Sequence, residues 1–167
     1  MEKILRPLCD TPHQAYMSDI VQVADLLDWI LSQVGRAEVR LSSFSVSEEF
    51  LRRIFFIKRR HDTSSFSLVL DHKATQKTLR LWTFISRVAD KVYLADNHSK
   101  VILVRAASGH TVSVVTSQNL TRGNRMESAF ISTSAELFAS LLLQFENLST
   151  YHSVPLHDII RQRIGTD

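Results

Sequence analysis

The sequence predicts an α/β domain with a mixed β-sheet flanked by helices. Three observations predict it. Short apolar runs alternate with segments of helical period between residues 18 and 95. Such a β-α-β-α-β order requires parallel strands joined by crossover helices. Two more strand-like runs then follow with only a short Gly-containing turn between them, which makes an antiparallel pair.

Residues 18–34 read as a helix. Ser18 is the expected N-cap, Ile20, Val23, Leu27, Ile30 and Val34 recur at helical spacing, and Gly35 ends it. Glu38 to Phe44 alternates, with Val39 and Leu41 on one face of a strand. Ser45-Val46-Ser47-Glu48 is a capping-box pattern opening a helix through about Arg60. Phe66 to Leu70 suits a strand buried on both faces. A third helix is expected over 74–89, with Leu79, Trp82, Ile85 and Ala89 on one side, then a strand from Lys91 to Ala95. Lys100–Arg105 and Thr111–Thr116 form the hairpin, and Glu127 to Ser132 is a further strand. Ser134 caps a helix to about Leu148, and Pro155 opens a last short one. Trp29, Trp82 and the Phe residues read as core.

The 167 residues are 44% hydrophobic and 22% charged, enough for one domain over 1–167. No run of about 18 apolar residues is present to span a membrane, and no amphipathic membrane-binding segment stands out. The opening MEKILRPLCD lacks the apolar stretch of a signal peptide. Cys9, the one cysteine, excludes an internal disulfide and fits a reducing compartment. A cytoplasmic protein is expected.

The net charge of +3 averages over unequal parts. Residues 1–50 balance at −4, residues 51–125 at +10 and residues 126–167 at −3. A basic middle between acidic ends suggests an anionic partner. Within it, Arg52, Arg53, Lys58, Arg59 and Arg60 read as the solvated face of a helix.

Chemistry concentrates around the hairpin. In Asn97-His98-Ser99-Lys100 the side chains of His98 and Lys100 project to one side, and in Ser117-Gln118-Asn119 so do Ser117 and Asn119. A turn centred near residues 107–108 places Lys100 opposite 115–116 and His98 opposite 117–118. An imidazole, an ammonium, a hydroxyl and a carboxamide thus meet at the hairpin's open end. That set suits a phosphate: lysine gives charge-assisted hydrogen bonds, Ser and Asn neutral ones, and imidazole a nucleophile or proton carrier. No histidine or acidic spacing of a metal site is evident, and no metal is expected. Asp71-His72-Lys73 has its histidine and lysine adjacent, so they point to opposite faces.

His98-Ser99-Lys100 followed by Ser117-Gln118-Asn119-Leu120-Thr121 resembles the HxK…(G)SxN signature of the phospholipase D superfamily. Glu127 resembles the acidic residue that orients that family's histidine. The resemblance covers about residues 97–131, and the flanking order of elements is similar to the family's α/β sandwich. It implies a metal-independent phosphodiesterase working through a phosphohistidine, with no cofactor. His98 would be nucleophile or general acid, Lys100 and Asn119 would hold phosphate oxygens, Ser117 would assist and Glu127 would fix the imidazole. A complete site needs two HxK motifs and the chain has one, so a homodimer with facing His98 side chains is implied.

Two positions depart from the family pattern. Arg105 stands where the family has Asp, and Thr116 where a Gly often precedes the serine, which could tighten the pocket. The expected substrate is DNA or RNA, with Arg122 and Arg125, just after the motif, touching its backbone. Small members of this type resemble nucleases of bacterial, plasmid or phage source. The alternatives are a catalytically silent phosphate- or nucleic-acid-binding module and, third, a lipid phosphodiesterase.

Overall fold

In a computed structural model, which describes residues 1 and 4–164, eight strands form one mixed sheet. Chain order runs β1 (His13–Ser18), α1 (Val23–Val34), β2 (Ala37–Ser43), α2 (Glu48–Arg60), β3 (Ser65–Asp71), α3 (Thr75–Arg80), α4 (Trp82–Val88) and β4 (Lys91–Ala95). It continues with β5 (Val101–Ala106), β6 (Thr111–Thr116), β7 (Glu127–Ser132), α5 (Ala135–Tyr151), β8 (Ser153–Pro155) and α6 (Leu156–Ile164). Across the sheet the order is β1-β7-β6-β5-β2-β3-β4-β8.

β2, β3 and β4 are parallel, as the alternation with helices requires, and the other pairings are antiparallel. One face is covered by α1 and α2. Leu26, Leu27, Ile30, Leu51 and Ile54 pack there against Val39, Leu41, Leu68, Ile102 and Val104, all fully buried. Truncating one of these leucines to Ala costs about 2–5 kcal/mol in lost transfer energy and cavity. α5 covers part of the other face, setting Phe138, Leu142 and Phe145 on Val69, Ala95 and Leu103.

Several boundaries differ from expectation. Ser18 ends a strand, β1, and α1 starts five residues later at Val23. Its hydroxyl still accepts backbone N–H groups, from Ile20 at 3.2 Å and Val21 at 3.3 Å, and Ile20 is solvent-exposed rather than on the buried stripe. α2 is capped by Ser47, which accepts from Phe50 N at 3.2 Å, and not by Ser45. The third helix is interrupted. A 3-10 turn at His72–Ala74 leads into α3, and Leu81 separates α3 from α4. Pro155 closes β8, and the helix begins at Leu156. Trp82, Phe56 and Phe130 are exposed, so the aromatics are not uniformly core. Gly35 ends α1 as expected, at φ 73°.

The topology sends one end of every strand near the hairpin to the same edge. Ser42 of β2 pairs with Val101 at the start of β5, and Val101 with Val115 near the end of β6. Thr116 pairs with Ala129 of β7, whose first residue, Glu127, faces Ser18 at the end of β1. β3 and β4 also finish at this edge, because they are parallel to β2. Loops leaving the C-terminal ends of parallel strands are where α/β sheets place ligands.

Candidate active site

His98 and Lys100 lie in the segment between β4 and β5. Lys100 Nζ donates to the His98 carbonyl at 2.9 Å and stands 3.5 Å from His98 Nδ1. The Phe44 ring tilts against the imidazole, with centroids 5.4 Å apart. Both residues reach solvent, His98 exposed and Lys100 half-buried. The hairpin register sets Val101 against Val115, and Thr116 N donates to Lys100 O at 3.0 Å. Lys100 therefore lies opposite Thr116, within the expected pairing.

Asn119 follows β6 and is held from β2. Ser43 Oγ, fully buried, lies 3.3 Å from Asn119 Oδ1, with its proton shared between that oxygen and Ser45 O at 3.0 Å. It also accepts from Leu120 N at 3.1 Å. With Oδ1 engaged, the amide NH2 of Asn119 is left as donor. Gln118 is buried between Ser117, which is exposed, and Asn119, which is half-buried. Ser43 and Phe44, consecutive in the chain, thus contact Asn119 and His98 respectively.

Ser117 pairs one strand further on. Its hydroxyl donates to Glu127 Oε2 and accepts from Ser128 N at 3.0 Å. Among the described residues no carboxylate hydrogen-bonds to His98. Within the chain the Glu127 carboxylate meets Ser117, which the β6–β7 pairing brings beside it. Glu127 also acts on Tyr16. Burial first, and the nearby Glu127 charge second, push the Tyr16 phenol up to about 12.

Sequence reasoning missed the support beneath these residues. Asn97 is almost wholly buried. Its Oδ1 accepts from Ser99 N at 3.1 Å and Ser99 Oγ at 2.6 Å, while Nδ2 donates to Ser43 O at 3.2 Å. Asp71, also buried, takes Asn97 N on one oxygen at 2.9 Å and Lys73 N on the other at 2.7 Å. Ser42 Oγ meets Ser99 Oγ at 2.8 Å. The available signal was polar residues, Ser42, Ser43 and Asp71, ending strands that are otherwise apolar.

The two departures have structural accounts. Arg105 sits at the far end of β5, paired with Glu38 and Thr111, and lays its guanidinium over Phe138 at 5.3 Å. It is remote from Lys100 along the strand. Thr116 Oγ1 donates to Ser128 O at 2.8 Å and accepts from Gln118 N at 3.1 Å, so the side chain shapes the turn that presents Ser117. Arg122 is exposed and ion-paired with Glu49 at 2.9 Å, and Arg125 is exposed. Among the described residues, Asp71, His72 and Asp96 bring ligating atoms within 4.8 Å of one another. Both Asp71 oxygens already accept backbone N–H groups, so its place there is structural.

By sequence, the chain matches no protein-family model and no curated protein. By structure it is similar to Nuc from Salmonella typhimurium, a phospholipase D family member, with TM-score 0.65 at 15% identity, over 86% of this chain and 96% of that one. The chain has the phospholipase D superfamily fold. NucT from Helicobacter pylori is also similar, with TM-score 0.61 at 14% identity, over 86% and 99% of the two chains. TrmBL2, an archaeal chromatin protein with a novel mode of DNA binding, gives TM-score 0.52 at 9% identity, over 81% of this chain and 51% of that one. His98 and Lys100 precede β5, and Ser117 and Asn119 follow β6, at the same end of that sheet.

Proposed function

We propose that the chain is a metal-independent phosphodiesterase of phospholipase D type, acting on nucleic acid as a homodimer. The observation that carries this reading is the joint placement of His98–Lys100 and the Ser43-held Asn119 at one sheet edge. The Lys100 ammonium and the Asn119 NH2 bind phosphate oxygens, and Ser117, held by Glu127, adds a third donor or acceptor.

Attack on phosphorus requires a lone pair at His98 Nε2 and hence a proton at Nδ1. Lys100 Nζ stands 3.5 Å from Nδ1, at the limit of a hydrogen bond, and is drawn off by an incoming phosphate. The Nε2–P bond forms as the bond to the leaving oxygen breaks, and the partner subunit's His98, protonated, supplies that oxygen's proton. Water then attacks phosphorus and gives its proton to the same imidazole. The P–N bond breaks and the lone pair returns to Nε2.

The dimer has support of its own. α5 reaches β6 but leaves the end of that strand and the neighbouring β7 and β1 open, where Met17 is 75%, Val115 45% and Phe130 44% exposed. Val115 and Phe130 are direct neighbours in the register, next to Thr116, Ser117 and Ser128. An apolar patch touching the site suits a second copy that completes it. Among the described residues no helix is long and apolar enough to cross a membrane.

Hydrolysis of bis(p-nitrophenyl) phosphate in EDTA tests the reading. Turnover by the wild type, abolished in His98→Ala, is expected; equal turnover in that variant overturns it. The second reading, a silent binding module, is favoured by the similarity to TrmBL2, named for its DNA binding. DNA binding without any turnover would select it.

A further inference from the structure

The positive charge of the middle stretch is unevenly neutralised. On α2, Arg52 pairs with Glu48 at 2.6 Å, Arg53 with Asp25, Lys58 with Asp90 at 3.3 Å and Arg60 with Asp28 at 2.8 Å. Arg59 lies over the Phe55 ring. That cluster is spent on the fold, in accord with its reading as a helix surface. The next crossover is different. Lys73, Lys77, Arg80 and Arg87 are all exposed, and none of their side chains makes an ion pair among the described residues. No acidic residue occurs between His72 and Ala89.

Lys73, Lys77 and Arg80 follow helical spacing (i, i+4, i+7) through the 3-10 turn and α3, and Arg87 lies on α4 beyond the break at Leu81. Ala74, Thr78, Ile85 and Val88 of the same crossover are buried. At about 1.5 Å per residue Lys73, Lys77 and Arg80 spread over roughly 10 Å, and Arg87 adds a further charge along α4. Such a row offers contacts to more than one phosphate and exceeds a single headgroup.

The row starts at the site. Asp71 holds Lys73 N with one oxygen and Asn97 N, the residue before His98, with the other. His72 Nδ1 donates to Ala95 O at 3.2 Å, tying the same turn to the end of β4. One buried carboxylate therefore anchors both the first lysine of the row and the loop carrying the imidazole.

We propose that a nucleic-acid strand with one phosphate at His98–Lys100 continues over α3 and α4, its next phosphates meeting Lys73, Lys77, Arg80 and Arg87. This rests on the nuclease reading for the identity of the site and adds the path of the substrate away from it. The unpaired cations and the absence of carboxylates among them favour an extended polyanion over a folded protein partner.

The test is the combined variant Lys73→Glu, Lys77→Glu, Arg80→Glu, with Lys73→Gln, Lys77→Gln, Arg80→Gln as the milder form. Thermal melting first checks that each folds like the wild type. Binding of a labelled single-stranded oligonucleotide of about 30 nucleotides is then measured by anisotropy from about 50 to about 200 mM salt. The Glu form is expected to weaken binding by about tenfold or more, and to lower the log–log salt slope by about 2. The Gln form falls between, and bis(p-nitrophenyl) phosphate turnover stays at the wild-type rate. Unchanged affinity and slope in both variants overturn the path. Equal loss of binding to phosphatidylserine vesicles that compete with the oligonucleotide also overturns it, in favour of a lipid surface. If no form hydrolyses the small diester yet the oligonucleotide losses persist, the nuclease reading fails and the path stands.

Discussion

The Asn119 carboxamide is fixed by Ser43, whose buried hydroxyl lies 3.3 Å from Asn119 Oδ1 and accepts Leu120 N at 3.1 Å. β2 therefore reaches across to set a residue that follows β6. Ser43→Ala removes the proton donor to Asn119 and orphans a buried N–H. It is expected to cost about 1–3 kcal/mol of stability, read by urea unfolding. Diester kcat/KM should fall about tenfold or more, since a small displacement of a positioning group is expensive. Unchanged kinetics would separate Asn119 from the site.

Glu127 charges the edge between β7 and β1. Tyr16 should ionise near 12, giving a late step in an ultraviolet phenolate titration. Tyr16→Phe should remove that late step. Glu127→Gln should lower the midpoint while leaving it above 10, because burial is the larger cause. The folded state holds the phenol proton more tightly than the unfolded chain, so this contribution to stability is whole below pH 10 and disappears as pH rises toward about 12.

The exposed pair Val115–Phe130 tests the dimer. Phe130→Glu places a charge on the uncovered sheet face without touching the buried core. Light scattering should show a dimeric wild type and a monomeric variant, the latter still folded but without diester turnover. A monomeric wild type with full turnover would remove the shared site.

How much of this was legible in the sequence depended on how local the signal was. His98–Lys100 and Ser117–Asn119 are read from strand alternation and one hairpin, and the observed Lys100–Thr116 pairing lies within the expected register. The third-strand contacts were not legible. Ser43 and Asp71 matter because β5 lies beside β2 and β2 beside β3, an order that neither periodicity nor the turn reveals. β1 was hidden for another reason: as an edge strand with only Tyr16 and Ser18 buried, it lacks a continuous apolar alternation. The partner of Glu127 likewise depended on which strand joined β6.

The most direct test is rapid acid-free denaturation of the protein during turnover of a phosphodiester, followed by mass spectrometry of its peptides. A phosphoramidate adduct on His98, formed in EDTA and absent from His98→Asn, is the result predicted. An adduct on another residue, or undiminished turnover in His98→Asn, would contradict the assignment of this edge as the catalytic centre.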